Sequence, residues 1–255
     1  MALILFMENK SMWNLILEFQ QYQEDLLELL EFETEYAEHM ASIEKCSLEE
    51  AMLKYTEWYY MHTAEPGTHD ERLALMRQLA FKEARRTFFE ERVIPEQQKR
   101  FIEGQAEIRS SRAGFIAEAH PEYYSESPEI VLTLHFRNYF APDSPFAHKQ
   151  ELANGLLQLV GEFLSKHPAV ERVQCASWLN NVPDFLSLFP DEWLRCRILC
   201  LPMEPSTGWW GSLIDKTGRF NRKRAELFKK CGGFSMPNML CRCKIEDLLH
   251  HLKKG

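Results

Sequence analysis

The 255-residue chain is 45% hydrophobic and 27% charged, with a net charge of −8 at neutral pH. This composition predicts a compact, soluble protein with one large core or two modest ones, and it excludes an intrinsically disordered chain. No stretch approaches the roughly 18 uncharged apolar residues of a membrane span, and the apolar start lacks the basic segment of a secretory signal. The seven cysteines are odd in number, which favours reduced thiols in the cytoplasm over a disulfide framework.

Charge and glycine content divide the sequence at Pro128. Residues 1–127 carry a net charge of −12 and three glycines, whereas residues 128–255 carry +4 and eight glycines. Glycine supplies the tight turns that join strands, so we predict an acidic helical region over 1–127 and an α/β region with a ligand cleft over 128–255. The fold class is therefore a mixed α+β or α/β protein. Four to five helices pack on a C-terminal α/β unit whose small sheet is at least partly parallel.

The first two helices follow from periodicity and capping. Apolar residues recur at steps of three and four from Leu15 to Leu29, and the stripe continues to Met40, which predicts one buried helical face. The segment Ser47–Glu50 has the capping-box pattern of a helix start. The helix that begins there should end at Pro66-Gly67.

Two further helices complete the acidic region. Thr68–Glu71 repeats the capping pattern and opens a third helix that extends through Phe88. Pro95 suits the first turn of a fourth helix, whose pattern continues until Pro121.

The second region alternates strand and helix. Residues 129–136 are rich in β-formers and predict a strand, residues 148–167 show helical spacing, and residues 170–178 return to a strand. A strand, a crossover helix and a second strand form a right-handed parallel unit, so Leu132 and Val173 should lie on neighbouring parallel strands.

The remaining elements are shorter. We predict a short helix over 183–189, a third strand over 194–201, a helix over 221–231, a short edge strand over 240–244 and a closing helix over 245–252. The order strand, helix, strand, short helix, strand over 129–201 resembles the second half of a GNAT acyltransferase. That resemblance implies an acyl-CoA pyrophosphate at the start of the crossover helix. The entry Pro145-Phe-Ala-His148 lacks glycines that would let backbone approach a pyrophosphate, so the resemblance is an analogy of element order.

Two polar loops are the leading candidate site, because ligands of open α/β sheets bind at the carboxyl ends of strands. The loop after the first strand offers His135, Arg137, Asn138, Asp143, Ser144 and His148. The loop after the second strand offers Ser177, Trp178, Asn180 and Asn181. The alternative is that Arg137 and the asparagines cap and brace these loops, as Asn and Asp do wherever chains reverse.

A second candidate is the segment around Trp209 and Trp210, which precedes a basic run. Two aromatic rings beside arginines could stack on a substrate base or hold a phosphate. The basic residues could equally form the solvated face of a helix or contact the acidic helices. A nucleic-acid partner is not expected, because a chain of pI about 5.7 lacks the basic footprint of such proteins.

Two kinds of metal site are conceivable from residue type. Zinc could be bound by thiolates of five cysteines, Cys196, Cys200, Cys231, Cys241 and Cys243, but no pair has the two-residue gap of a zinc knuckle. The alternative is that these cysteines are small hydrophobic residues buried in the core. Glu35 and His39 share one helical turn, but the Glu-x-x-His repeat of di-iron bundles is missing. We therefore nominate no metal ligands, and the sequence identifies no cofactor.

The functional hypothesis is an enzyme, with a transferase preferred, that acts on a small anionic or polar metabolite above the first two strands. Arg137 would hold the anion, and His135 or His148 would serve as acid/base together with Asp143. Asn138, Ser177, Trp178, Asn180, Asn181, Trp209 and Trp210 would bind the substrate. The competing hypothesis is a non-catalytic protein that docks on a partner, or on a second copy of itself, through its acidic helices or through exposed rings of Trp209 and Trp210.

Overall fold

The structure is a computed structural model that describes residues 2–59, 75, 79, 81–126, 128–200 and 207–254. At residues 2–17, 105–110, 207 and 208 the description covers the backbone alone. Contacts divide the chain into two compact units, the first formed by residues 1–106 and 203–225 and the second by 107–202 and 226–255. This division does not coincide with Pro128, because residues 107–127 belong to the second unit and 203–225 to the first.

Helices occupy most of the first unit and one face of the sheet in the second. They are α1 Ala2–Glu44, α2 Leu48–Tyr55, α3 Lys82–Phe88, α4 Ile94–Ser110, α5 Lys149–Lys166, α6 Pro183–Leu186, α7 Asp191–Arg195, α8 Thr207–Trp210, α9 Arg222–Cys231 and α10 Ile245–Lys254. A π-helical turn, Phe89–Val93, joins α3 to α4. The strands are β1 Phe115–Pro121, β2 Ile130–Phe136, β3 Arg172–Ser177, β4 Ile198–Leu199 and β5 Met239–Lys244.

The capping box predicted before α2 is confirmed. The Ser47 hydroxyl accepts the backbone N–H of Glu50 at 3.2 Å, and the Glu50 carboxylate accepts the backbone N–H of Ser47 at 2.8 Å. α2 ends at Tyr55 and Thr56 is extended, but residues 57–59 are helical again, and the predicted helix end at Pro66-Gly67 lies outside the described residues. The predicted helix start at Thr68–Glu71 lies outside the described residues.

The first unit has an aromatic core. Trp58, Tyr59 and Phe89 are almost fully buried, with the Trp58 and Phe89 ring centroids 4.9 Å apart. Glu33 enters the same interior and accepts the backbone N–H of Glu57 at 2.9 Å. Burial raises the pKa of the Glu33 carboxyl well above its usual range, and the nearby Glu57 carboxylate raises it further.

Acidic side chains of α1 pair with arginines of the same unit. The buried Arg85 guanidinium lies 2.5 Å from Glu31 and 2.6 Å from Glu38, and Arg222 lies 2.6 Å from Glu28. Arg86 lies 2.9 Å from Glu24. Part of the basic segment after Trp210 therefore contacts the acidic helices, which was the alternative interpretation of that segment.

The second unit is built on a five-stranded mixed sheet with the order β1-β2-β3-β5-β4. The predicted parallel pairing is confirmed, with Leu132 opposite Val173 and Thr133 opposite Gln174. The other three neighbouring pairs are antiparallel. A mixed α+β arrangement with a partly parallel sheet was the predicted fold class.

Three predicted elements differ from the structure. The fourth helix does not reach Pro121, because residues 115–121 form β1 and pair with β2 along its whole length. The strand predicted over 194–201 is reduced to β4, because Asp191–Arg195 forms a helix after Pro190. The strand predicted over 240–244 is not at the edge of the sheet, because β4 pairs with it at Met239 and Leu240.

One face of the sheet carries the core of this unit. Leu132, Leu134 and Val173 on the strands pack with Leu152, Leu156 and Val160 of α5 and with Leu248 of α10. A Cβ at Gly155 would lie 2.8 Å from the Arg112 carbonyl oxygen, so glycine permits the close approach of α5 to the start of the sheet.

The other face holds a buried glutamine. The Gln174 amide donates to the Pro121 carbonyl at 3.1 Å and to the Thr133 hydroxyl at 2.9 Å, and its oxygen accepts the Tyr123 backbone N–H at 3.0 Å. Gln174 is 1% exposed, so these contacts compensate for the cost of burying its amide. They hold the connection between β1 and β2 against the central strand.

Among the described residues, no helix is long and apolar enough to span a bilayer.

Candidate functional site

The parallel strands β2 and β3 are paired only over a short length. Two residue pairs are in register, compared with six pairs between β3 and β5. Three residues of each strand, 134–136 and 175–177, continue past the last paired position toward the carboxyl edge, a length of about 10 Å. The two nominated loops leave the sheet at this edge, as the prediction required.

A glycine fixes the first loop where it leaves β2. Gly114 has φ +91°, and its carbonyl accepts the backbone N–H of Arg137 at 3.0 Å. A Cβ at Gly114 would lie 2.2 Å from the Arg137 carbonyl oxygen. Gly114 was not among the predicted site residues, although a glycine just before a β-rich segment is a turn signal. The Arg137 side chain is exposed.

Asn138 braces this loop. Its side-chain amide donates to the Asp143 carbonyl at 3.0 Å, and its oxygen accepts the backbone N–H of Phe140 at 3.1 Å. These contacts match the alternative interpretation, in which asparagine stabilises a chain reversal. The predicted role of Asn138 in substrate binding stays a prediction.

His148 lies at the entry of α5 and is oriented by three neighbours. Its ring stacks on Phe140 with centroids 4.2 Å apart and planes 4° from parallel. Nδ1 lies 3.1 Å from the Glu151 carboxylate, and Nε2 lies 3.9 Å from the Asp143 carboxylate. The structure thus brings two of the nominated catalytic residues, His148 and Asp143, close together. Phe140 and Glu151 were not predicted, because their role depends on the turn that precedes α5.

His135 does not join that pair. It lies on β2 next to Phe136, and successive side chains on a strand point to opposite faces. Since Phe136 packs with the core under α5, His135 lies on the face away from α5. Its Nε2 is 3.1 Å from the Glu118 carboxylate on β1, and both side chains are at least half exposed.

The second loop is held by buried amides. Asn180 is 0% exposed, and its amide nitrogen donates to the Cys175 carbonyl at 2.9 Å and to the Met239 carbonyl at 2.7 Å. Its oxygen accepts the indole N–H of Trp193 at 3.0 Å. Both donors and the oxygen of the Asn180 amide are therefore hydrogen-bonded inside the protein, which gives this residue a structural role.

The neighbouring residues brace the same loop. The Asn181 amide donates to the carbonyls of Trp178 at 2.8 Å and Pro237 at 2.7 Å, and its oxygen accepts from Arg197. The Ser177 hydroxyl accepts the backbone N–H of Leu179 at 3.1 Å and starts a 3₁₀ turn. Trp178 is partly buried and packs against the core. Substrate contacts of Ser177, Trp178, Asn180 and Asn181 remain predictions.

Trp209 and Trp210 lie in the other unit and are buried, with 5% and 1% exposure. The indole N–H of Trp210 donates to the Tyr55 carbonyl at 3.1 Å, and its ring packs edge-on against Phe32 and Tyr36. The expectation of exposed rings was wrong, because these indoles complete the core of the first unit. They are therefore not accessible anchors for a partner.

The thiols are mostly buried. Cys175, Cys200, Cys241 and Cys243 are buried, Cys46 and Cys196 are partly buried, and Cys231 is exposed. Burial raises the pKa values of the Cys175 and Cys241 thiols to about 12, so both thiols are protonated at neutral pH. Among the described residues, no group of three or more His, Cys, Asp or Glu side chains is arranged to hold a metal ion.

Comparisons with known proteins identify no relative. No protein-family model matches the chain, and searches of curated proteins and of solved structures give no significant match.

Proposed function

We propose that the second unit is a transferase that binds a small anionic metabolite at the edge where β2 and β3 end. The first ligand to test is an acyl-CoA. The observation that carries the proposal is the loss of pairing between these parallel strands beyond Thr133 and Gln174, next to the start of α5. Ligands of α/β sheets bind at such an edge. The resemblance in element order to the second half of a GNAT acyltransferase supports the same class.

The dipole of α5 favours an anion at this position, where Arg137 and Lys149 offset the carboxylates of Asp143 and Glu151. The N-terminus of the 18-residue helix α5 presents backbone N–H groups and a partial positive charge. Arg137 supplies a guanidinium suited to bidentate contact with phosphate or carboxylate oxygens. The exposed Lys149 adds a second cation in the first turn of α5.

His148 is the acid/base group of the proposal. Glu151 holds Nδ1 at 3.1 Å, which leaves Nε2 to exchange a proton. In acyl transfer from a thioester, the acceptor amine or hydroxyl gives its proton to Nε2 and attacks the thioester carbonyl. The C–S bond then breaks, and the departing thiolate takes the proton from the imidazolium. Asp143, 3.9 Å from Nε2, stabilises the charged imidazolium.

The first experiment is titration of the purified protein with coenzyme A. Binding is measured by calorimetry and by the shift of the thermal unfolding midpoint. We expect saturable binding and a raised midpoint, because a ligand that binds only the folded state stabilises it. Arg137→Ala should weaken binding about tenfold or more, since a charge-assisted hydrogen bond contributes about 1.5–3 kcal/mol. His148→Ala should abolish acyl transfer from the thioester while leaving coenzyme A binding in place, because it removes the acid/base group, and both variants should unfold near the wild-type temperature.

Arg195→Ala is the matched control, because it removes the same exposed charge from α7, an element outside the two loops. It should bind coenzyme A like the wild type. Wild-type protein that fails to bind coenzyme A, an Arg137→Ala variant that binds it fully, or a His148→Ala variant that keeps full acyl transfer would exclude the proposal.

The competing hypothesis is a non-catalytic protein that docks on a partner or on a second copy of the chain. Light scattering after size exclusion separates the two, because a concentration-independent monomer that binds coenzyme A favours the transferase. Self-association without coenzyme A binding favours the docking protein.

A further inference from the structure

A cavity of about 160 Å³ in the second unit has two thiols in its wall. It is lined by Arg172, Glu192, Cys196, Arg242, Cys243 and Lys244. The three cationic residues occupy positions of β3 and β5 whose side chains point to the other face of the sheet, the face of Gln174. The reactive side chains on the cavity side are therefore those of Cys196, Cys243 and Glu192.

The first thiol comes from β5. Cys243 is 3% exposed and lies in the same core cluster as Trp193 of α7. α7 packs against β5. The Cys243 side chain thus faces the layer of helices that contains α7.

The second thiol and the carboxylate come from α7. Cys196 follows the last residue of this helix, and its backbone N–H donates to the Glu192 carbonyl at 3.0 Å. Residues four apart lie on the same face of a helix, so Cys196 and Glu192 both face the cavity. Cys196 is only partly buried, in contrast to Cys243. The cavity therefore combines an accessible thiol, a buried thiol and a carboxylate.

Electrostatic interactions indicate that the two thiols are close together. Burial raises the pKa of the Cys243 thiol, and the carboxylates of Glu192 and Asp247 raise it further. Cys196 also raises this pKa, and more strongly than Cys241 does. Since Cys241 lies only two positions away on the same face of β5, a distance of about 7 Å, Cys196 is a near neighbour of Cys243.

We propose that Cys196 and Cys243 form a redox pair that a hydroperoxide converts to a disulfide. An accessible cysteine next to a second cysteine is the arrangement found in thiols that respond to peroxides. The cavity of about 160 Å³ admits hydrogen peroxide but is below the roughly 300–1,000 Å³ of pockets for drug-sized molecules, which favours a small oxidant.

Cys196 reacts first, because its thiol is the more accessible one. It gives its proton to solvent, and the thiolate attacks one oxygen of the peroxide. The O–O bond breaks, an S–O bond forms, and the departing hydroxide takes up a proton to give water.

Cys243 completes the reaction. Its sulfur attacks the sulfur of the Cys196 sulfenic acid, so that an S–S bond forms as the S–O bond breaks. The hydroxyl group leaves with the Cys243 proton as a second water, and the Glu192 carboxylate lines the same cavity and can carry that proton. The two thiols lose two electrons, and the peroxide gains them.

The test is brief treatment of the reduced, folded protein with hydrogen peroxide, followed by alkylation and mass spectrometry of peptides. We expect both thiols to be lost together and a linked pair of peptides, containing Cys196 and Cys243, that is lighter than their sum by two hydrogen atoms. Dithiothreitol should restore both thiols, because a disulfide is reversible whereas a sulfinic acid is not.

Two variants separate the steps. Cys243→Ser should stop the reaction at the sulfenic acid of Cys196, which dimedone traps. Cys196→Ser should leave Cys243 reduced, because the remaining thiol is buried. Circular dichroism and the unfolding midpoint establish that each variant is folded.

Cys46 is the matched control, because it is partly buried like Cys196 and is the single cysteine in the sequence of the first unit. It should be oxidised without joining another cysteine of the same chain. Absence of the link between Cys196 and Cys243 at a peroxide concentration that oxidises Cys46 would overturn the proposal. A link from Cys196 to Cys200 or Cys241 in its place would do the same.

This proposal and the proposed transferase function fail separately, because the thiol pair shares no residue with the loops that end β2 and β3. Cys196→Ser should leave coenzyme A binding unchanged. Arg137→Ala should form the link between Cys196 and Cys243 as the wild type does.

Discussion

Asn180 is the residue at which a structural and a substrate-binding role can be separated most sharply. Asn180→Ala removes two donors and one acceptor from the interior of the second unit, leaving the carbonyls of Cys175 and Met239 and the indole N–H of Trp193 without these partners. An unsatisfied buried polar group costs about 1–3 kcal/mol. Carbonyls retain other bonding capacity, so we expect the free energy of unfolding to fall by about 3–5 kcal/mol, and the midpoint by about 10 °C or more.

The assay is urea and thermal unfolding, followed by circular dichroism and by tryptophan fluorescence. Asn180→Asp tests the geometry further. It keeps the acceptor for Trp193 but loses both donors and places a carboxylate against two carbonyl oxygens, so it should destabilise at least as much at neutral pH. Asn138→Ala is the matched control in the half-buried first loop and should cost about 0.5–1.5 kcal/mol. A loss below about 1 kcal/mol in Asn180→Ala would refute the structural role.

Three further changes test other parts of the structure. Gly114→Ala should destabilise by about 2 kcal/mol or more and weaken coenzyme A binding, because its Cβ would lie 2.2 Å from the Arg137 carbonyl oxygen at φ +91°; Gly161→Ala, which meets nothing within 4 Å, should have neither effect. Since the pKa of Glu33 is raised in the folded state, the wild type should lose stability as pH rises from about 4.5 through that pKa, with a slope of up to about 1.4 kcal/mol per pH unit. Glu33→Gln should flatten this dependence, and an unchanged pH profile would contradict the assignment. A maleimide should label Cys231 within minutes and leave Cys175 unlabelled in the folded protein, as mass spectrometry of peptides would detect; equal labelling would contradict the burial of Cys175.

The parallel unit could be predicted because its signals are local. Residues 130–136 are rich in β-branched and apolar side chains, and a crossover helix of 18 residues separates them from β3. The hand and length of such a crossover leave few alternatives to parallel pairing. The pairing of Leu132 with Val173 therefore followed from periodicity.

The strand β1 was missed because a short apolar segment does not distinguish the helical period of about 3.6 residues from the strand period of about two. Phe115 continues the helical spacing from Ile108, so residues 115–121 fitted the helix that precedes them. Their structure is decided by antiparallel pairing with β2. Because β2 comes later in the chain, a short sequence window around residues 115–121 does not contain this partner. The same limit explains β4, whose length is set by its contact with β5.

The roles of the nominated side chains depend on partners distant in sequence. Asn180 bonds to Met239, 59 positions away, and Trp210 bonds to Tyr55, 155 positions away. Residue type and spacing could place these groups in a loop. They could not show whether the side chains make their hydrogen bonds within the protein or offer them to a substrate.

Gln174 has a consequence for how the second unit opens. Its amide joins the chain after β1, the middle of β2 and the central strand β3, so separation of any one from the others breaks a buried contact. Local opening should therefore be cooperative across these three strands rather than begin at the connection. The Tyr123 amide should exchange its hydrogen with solvent almost as slowly as amides of β3, although it lies outside any strand. Residues inserted next to Tyr123 should then destabilise the whole sheet rather than merely lengthen a turn.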